Sequence, residues 1–295
     1  MTMQEYTAQY AAFTTLTETC LGRLCDEYLP QSSRIAQAAR YSLLGGGKRV
    51  RAVLVLAACA LAGGPVEGAA HYAAALEMLH CYSLIHDDLP CMDNDDFRRG
   101  RPSCHRQFDE ATALLAADAL VTAAFEATAN APLTPQCNAK ATAQLAKAGG
   151  ARGMLYGQEL DKHFETCRAG AEELLCLHRH KTGALIIAGV QLGCIAAQAE
   201  EKVNTALETY AAELGLVFQI VDDVLDVTST MGDLGKPVGS DAANDKTTFI
   251  TLYGVDGARR LAASHTEAAL AALDAFGPQG DFLREMARAL LVRNK

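Results

Sequence analysis

Val66-Glu-Gly-Ala-Ala-His-Tyr-Ala-Ala-Ala-Leu-Glu-Met-Leu-His-Cys-Tyr-Ser-Leu-Ile-His-Asp-Asp-Leu89 follows a Gly63-Gly64-Pro65 break and runs to Pro90 without a turn signal. Its alanines and leucines favour helix, and its apolar residues surround the axis. A helix apolar all round belongs inside a bundle, so this stretch predicts a central helix with others packed about it. It ends in acid: Asp87 and Asp88 close it, and Asp93, Asn94, Asp95, Asp96, Arg98 and Arg99 follow within eleven residues. Asp87, Asp88 and Asp93 are close enough to converge on a hard divalent cation, and the arginines add charge suited to a phosphate.

A second acidic cluster lies in Phe218-Gln-Ile-Val-Asp-Asp-Val-Leu-Asp-Val227. Asp222 and Asp226 share a helical face at i and i+4, with Asp223 adjacent. Three carboxylates in an apolar helix repel one another and call for cations. Two such clusters in one chain argue for a metal-held anion.

The remaining chain reads as helices. Gln4 to Tyr28 has helical period, and Ser32 or Ser33 caps a helix running to Leu44. Gly45-Gly46-Gly47 ends it, and Lys48, Arg49 and Arg51 precede the apolar run Ala52 to Ala62. Basic residues at a helix start oppose its dipole unless an anion sits there; spacing alone leaves a diphosphate site and a solvated basic turn equally open. Asp109 to Ala129 and Gln136 to Lys162 form two further helices. Ala171 to His180 is a short polar helix, and Lys181-Thr182-Gly183 opens an apolar one through Cys194. Val203 to Val227 carries the second cluster, a glycine-rich loop from Gly232 to Gly239 holds Lys236, and Lys246 follows. Two amphipathic helices separated by Gly277-Pro278 end in Arg293-Asn294-Lys295.

No strand-like alternation interrupts these segments. The expectation is an all-α chain, one domain over residues 1–295, with helices around a deep central cavity and the two acidic clusters facing each other across its mouth. Half of the 295 residues are hydrophobic, tryptophan is absent, and the net charge of −9 makes nucleic acid an unsuitable partner. No basic segment leads into an apolar core at the start, and no uninterrupted apolar run reaches the roughly 18 residues of a membrane span; a soluble, cytosolic protein is expected. Ten cysteines without a CxxC pair fit reduced packing thiols.

The motifs Asp87-Asp88-Leu-Pro-Cys-Met-Asp93 and Asp222-Asp223-Val-Leu-Asp226 resemble the two aspartate-rich motifs of the trans-polyprenyl diphosphate synthases. Gly45-Gly-Gly-Lys-Arg-Val-Arg51, Glu77-Met-Leu-His80, Gly157-Gln158, His180-Lys-Thr-Gly183, Gly235-Lys236 and Asp245-Lys-Thr-Thr248 extend the likeness in that family's order. The resemblance is strongest to bacterial short-chain farnesyl diphosphate synthases, and it implies the isoprenoid synthase type of helical fold. It implies three magnesium ions held by Asp87, Asp88, Asp93, Asp222, Asp223 and Asp226. Isopentenyl diphosphate would bind Lys48, Arg51, His80 and Arg99; an allylic diphosphate would bind Arg98, Lys181, Lys236 and Lys246, with Thr182 and Gln219 turning oxygens toward an allylic cation. A homodimer is implied as well. Phe249-Ile250 departs from the Tyr-Pro that many relatives carry there.

The implied reaction is head-to-tail condensation of isopentenyl diphosphate with dimethylallyl or geranyl diphosphate. Tyr82 lies about 7.5 Å below Asp87 by helix rise, flanked by Ser83 and Met78; the resemblance implies a floor there that stops the chain at fifteen carbons, as in relatives with an aromatic residue at this position. Tyr82 packed between helices, with the floor elsewhere, is the alternative. Rival functions are a geranylgeranyl or longer-chain synthase, a class I terpene cyclase, for which Lys48, Arg51 and Arg99 have no use, and a non-catalytic subunit, in which intact acidic motifs are out of place.

Overall fold

The computed structural model describes residues 1–228 and 247–293. Its described residues are helical almost throughout: α1 (Met3–Tyr28), α2 (Arg34–Leu43), α3 (Val50–Leu61), α4 (Val66–Asp87), α5 (Cys104–Gln107), α6 (Glu110–Ala129), α7 (Pro135–Gly149), α8 (Met154–His163), α9 (Ala171–His178), α10 (Ala184–Ala197), α11 (Glu201–Thr228), α12 (Phe249–Ala271) and α13 (Asp281–Leu291). The all-α reading holds. The chain divides into two compact units, one of Ala8–Ala146 with Leu192–Ala199, the other of Met1–Thr7, Lys147–Gln191 and Glu200–Lys295.

In the first unit α4 is central, as its composition requires: 17 of its 22 residues are buried, packed against α3 and α6. Caps set the borders of its neighbours. The Ser33 hydroxyl accepts from the Ala36 N–H at the start of α2, and the Asp109 carboxylate accepts from the Thr112 N–H at the start of α6.

Three sequence expectations are corrected. The helix expected from Gln136 to Lys162 is two, α7 and α8. Gly149-Gly150 sacrifices about 2 kcal/mol of helix propensity, and Gly153, at φ −141° and ψ −122°, leaves the helical region before α8 begins. Lys181-Thr182-Gly183 does not open a helix: α9 continues through a π-helical turn, Arg179–Gly183, directly into α10. The backbone amides there lie inside a continuous helix and are not a free N-terminus. Finally, the loop after α4 contains a small hairpin, β1 (Phe97–Arg98) with β2 (Arg101–Pro102).

Two described segments, Glu110–Ala129 and Ala171–Ala197, are long and apolar enough on average to cross a membrane, although neither is uninterrupted. Half of the most apolar window of the first and 61% of that of the second are buried inside the protein.

In the second unit α11 packs along α12 and against the π turn and α13. Val217, Ile220, Val221, Val224 and Leu225 of α11 join Phe249, Ala258 and Ala262 of α12 in one apolar cluster. The opposite side of α11 carries the acidic cluster.

Candidate active site

In the first unit the glycine loop, the start of α3, the middle of α4 and the hairpin build a cationic cradle. Arg49 turns inward: it is buried, donates to Glu18 (2.6 Å), Glu77 (3.3 Å) and the Leu43 carbonyl (2.7 Å), and Glu77 also accepts from the Ala52 N–H. This clamp, which the sequence reading did not identify, fixes the loop from inside and leaves Lys48 exposed. A signal for it was available in Glu77, an acid in the middle of the apolar α4 that needs a buried partner.

Arg51 and His80 meet, with Nη1 and Nε2 3.2 Å apart. Burial holds the His80 imidazole well below its ordinary pKa, and Arg51, Arg99, Arg98 and Arg49 push it the same way. The ring is therefore neutral, and its Nε2 accepts from Arg51. So much positive charge around one histidine is the electrostatic signature of an anion site.

The adjacent arginines diverge. Arg99 and Gly100 are the two central hairpin residues, both at positive φ (54° and 72°), the geometry of a tight turn matched to strand twist. Arg99 donates to the Gly46 carbonyl. Its guanidinium packs directly on Gly47, where an added Cβ would lie 2.9 Å from Cζ. Arg98 points the other way and grips Asp88, donating through Nε at 3.0 Å and also through Nη2, with Asp95 as a further partner at 3.1 Å. Asp96 pairs with Arg106.

Asp87 and Asp88 are buried at the end of α4, whereas Asp93 is exposed. The Asp93 N–H donates to the Asp87 carbonyl at 2.8 Å, and Met92 and Asn94 both donate to Leu89. The four residues between Asp88 and Asp93 thus form a closed turn that returns Asp93 to the helix end. Below it, Tyr82 is buried with its ring 5.0 Å from His86, edge to face. Met78 is buried, and the Ser83 hydroxyl donates to the His80 carbonyl. Burial raises the Tyr82 phenol pKa, and Asp87 and Asp118 raise it further.

In the second unit α8 lies on the π turn. A Cβ on Gly157 would fall 2.1 Å from the Lys181 backbone nitrogen, so only glycine permits this approach. Asp161, one turn on, accepts from Lys181 Nζ at 2.6 Å. The Thr182 hydroxyl donates to Gln219 Oε1 (3.2 Å), and Gln219 Nε2 donates to Asp223 Oδ1 (3.1 Å). Asp223 Oδ2 accepts from the Phe249 N–H at 2.9 Å. Asp222 is ion-paired with Arg293, which also donates to the Phe218 carbonyl at 2.9 Å and lies 4.2 Å over the Phe218 ring.

Asp226 differs from both neighbours. It is 6% exposed, and both of its carboxylate oxygens are buried without a hydrogen-bond partner among the described residues. A bare buried carboxylate costs several kcal/mol, and oxygen donors of this kind suit a hard divalent cation such as magnesium. The donor set fits the metal. Lys236 and Lys246 lie outside the described residues.

The chain matches the family model described as polyprenyl synthetase over residues 32–273. It is 41% identical over 272 residues to the farnesyl diphosphate synthase of Micrococcus luteus, covering 92% of this chain and 94% of that one. It is 44% identical over 249 residues to the chloroplastic geranylgeranyl pyrophosphate synthase of Catharanthus roseus, covering 83% and 70%. The solved structure of a Helicobacter pylori geranyltransferase, complexed with magnesium and isoprenyl diphosphate, superposes with a TM-score of 0.84 at 35% identity, covering 96% of each chain.

Proposed function

The chain belongs to the polyprenyl synthetase family and is a prenyltransferase of the condensing kind, and from that premise we propose that it makes farnesyl diphosphate. In this reading isopentenyl diphosphate is joined first to dimethylallyl diphosphate and then to geranyl diphosphate. The observation that carries it is the cradle of Lys48, Arg51, neutral His80 and Arg99, a basic site suited to a second diphosphate. A cyclase, which takes one diphosphate, has no use for it.

Asp87, Asp88 and Asp93, and Asp222, Asp223 and Asp226, would hold magnesium, whose positive charge, when bound, favours departure of the allylic diphosphate. Lys181, with Lys236 and Lys246, would bind the same diphosphate. Arg98 would serve it too, and meanwhile it holds Asp88 in place. Lys48, Arg51, His80 and Arg99 would orient isopentenyl diphosphate so that its double bond faces the allylic carbon. Thr182 and Gln219 would turn oxygen toward the positive charge that develops there. The proton lost after carbon–carbon bond formation would pass to the released diphosphate.

Product length rests on Tyr82. Its ring, buried one turn below His86, supports a floor near fifteen carbons, and the likeness to the Micrococcus enzyme points the same way. The likeness to the Catharanthus enzyme supports a second reading, a twenty-carbon product. The same proposal has three magnesium ions per site in a cytosolic homodimer.

Incubation with magnesium, isopentenyl diphosphate and each of dimethylallyl, geranyl and farnesyl diphosphate tests the proposal. A fifteen-carbon product, with farnesyl diphosphate a poor primer, is expected. Efficient extension of farnesyl diphosphate would overturn the farnesyl assignment, and no condensation with any primer would overturn the reaction.

A further inference from the structure

We propose that Arg49 is a positioning residue for isopentenyl diphosphate: its inward side chain, held by Glu77 and Glu18, sets where Lys48 and Arg51 stand. This rests on the reading of the cradle as the isopentenyl diphosphate site. The Arg49 backbone is left-handed, at φ 52° and ψ 30°, at the cap of α3. A residue other than glycine stays in that region only where its surroundings over-determine it. Here they do. Nε, Nη1 and Nη2 each have an acceptor, and the three acceptors, Glu18, Glu77 and the Leu43 carbonyl, come from α1, α4 and α2. The Arg49 side chain is 1% exposed. A planar guanidinium meets three fixed acceptors in one orientation, which a lysine ammonium does not reproduce.

Glu77 extends the hold to the helix itself. Its Oε2 accepts from Arg49 Nη1 and its Oε1 from the Ala52 N–H at 3.2 Å. Ala52 is the third residue of α3, so its N–H has no acceptor within that helix. The chain is therefore pinned on both sides of Arg51, at position 49 through a side chain and at position 52 through the backbone. His80, the residue that Arg51 meets at 3.2 Å, follows Glu77 by three positions on the same face of α4. Thus α4 reaches the start of α3 twice, one turn apart. One contact fixes the backbone and the other lies in the cradle.

Lys48 is held from the other side, where its carbonyl accepts from the Tyr10 hydroxyl of α1 at 2.6 Å. In the basic run 48–51 the middle cation is turned into the protein, and the outer two flank it at the surface of the cradle. Loss of the Arg49 anchor should therefore weaken one substrate and not the other.

The test measures KM for isopentenyl diphosphate, KM for geranyl diphosphate, kcat and melting temperature in wild type, Arg49→Lys, Arg49→Gly/Glu77→Gln and Arg51→Gln. Arg49→Lys keeps the charge but offers a single nitrogen to three acceptors. In the double variant position 49 takes its left-handed backbone without steric cost, no buried carboxylate is left unpaired, and the position-77 carboxamide oxygen still accepts from the Ala52 N–H. It reports the loss of the side-chain anchor alone, and it decides the matter if Arg49→Lys does not fold. Both are expected to raise KM for isopentenyl diphosphate tenfold or more, with KM for geranyl diphosphate changed less than twofold. A merely structural role would lower the folded fraction and the apparent kcat, leaving both KM values alone.

A KM for isopentenyl diphosphate within twofold of wild type in either folded variant, or equal rises in both KM values, would overturn the proposal. An unchanged KM for isopentenyl diphosphate in Arg51→Gln would instead sink the reading of the cradle on which it stands.

Discussion

Gly157→Ala puts one methyl group where the structure has backbone. Its Cβ would lie 2.1 Å from Lys181 N and 2.4 Å from Lys181 Cα, where ordinary contact begins at 3.4 Å. Neither neighbour is a flexible side chain, so α8 and the π turn must part by about 1.3 Å, since close-packed backbone has no slack. Overpacking of this size costs about 1–3 kcal/mol, or a melting temperature lower by roughly 2–4 °C per kcal/mol for a chain of this size class. The functional loss should exceed the loss of stability. Asp161 on α8 holds the Lys181 ammonium at 2.6 Å, and both helices carry that pair, so the shift displaces the ammonium. A misplacement near 1 Å costs about 100-fold in rate. Steady-state kinetics with geranyl and isopentenyl diphosphate, alongside thermal melts, should show kcat/KM down by about two orders of magnitude in a protein that is still folded. Activity within threefold of wild type would refute the claim that this contact sets the position of Lys181.

Three further outcomes follow from individual side chains. Asp226→Asn should stabilise the metal-free protein by about 1–3 kcal/mol, because it removes an unpartnered buried charge; with magnesium and diphosphate present the order should reverse in wild type's favour, and a destabilised metal-free variant would show that Asp226 is satisfied by other means. Tyr82→Ala should shift the product upward by at least one five-carbon unit, read by chromatography of the dephosphorylated products, and an unchanged distribution places the floor elsewhere. His178 is held at about 3, mainly by burial. Between that value and its ordinary 6.5 the unfolded chain binds a proton that the folded chain refuses. Stability from this group is therefore complete above about pH 7 and declines as pH falls, by up to about 1.4 kcal/mol per unit. Urea titrations at pH 7, 5 and 4 should show a shallower decline in His178→Phe, and equal slopes would contradict the neutral buried ring.

Much of the site could be read along the chain because its residues are near neighbours. Asp87, Asp88 and Asp93 lie within seven positions, and helical period alone puts Asp222 and Asp226 on one face. The helix ends were legible for the same reason: Ser33 and Asp109 cap α2 and α6 through bonds spanning three residues. The resemblance assigns Arg98 and Arg99 to different diphosphates, but which way each turns depends on the hairpin and on Gly46, 53 residues from Arg99. Helical period runs across the break between α7 and α8, and the glycines at 149, 150, 153 and 157 look alike in the sequence. Only Gly157 makes the approach to Lys181, while the Gly149-Gly150 pair and Gly153 divide the helix.

The sequence by itself determined the all-α class, the residues of the two acidic clusters and the basic residues around them, because these depend on helical period and on charge too dense to be left without counterions. The tertiary structure decided what each charged group meets. Arg49 turned inward to Glu18 and Glu77 while its neighbour Lys48 stayed exposed. Asp223 accepts from Gln219 and from Phe249, whereas Asp226 meets no hydrogen-bond partner among the described residues, although both lie in the same acidic run of α11. The rotation of about 100° per residue around a helix sends adjacent side chains to different neighbours. Those neighbours include residues of other elements, such as Phe249 at the start of α12, whose approach no local pattern encodes.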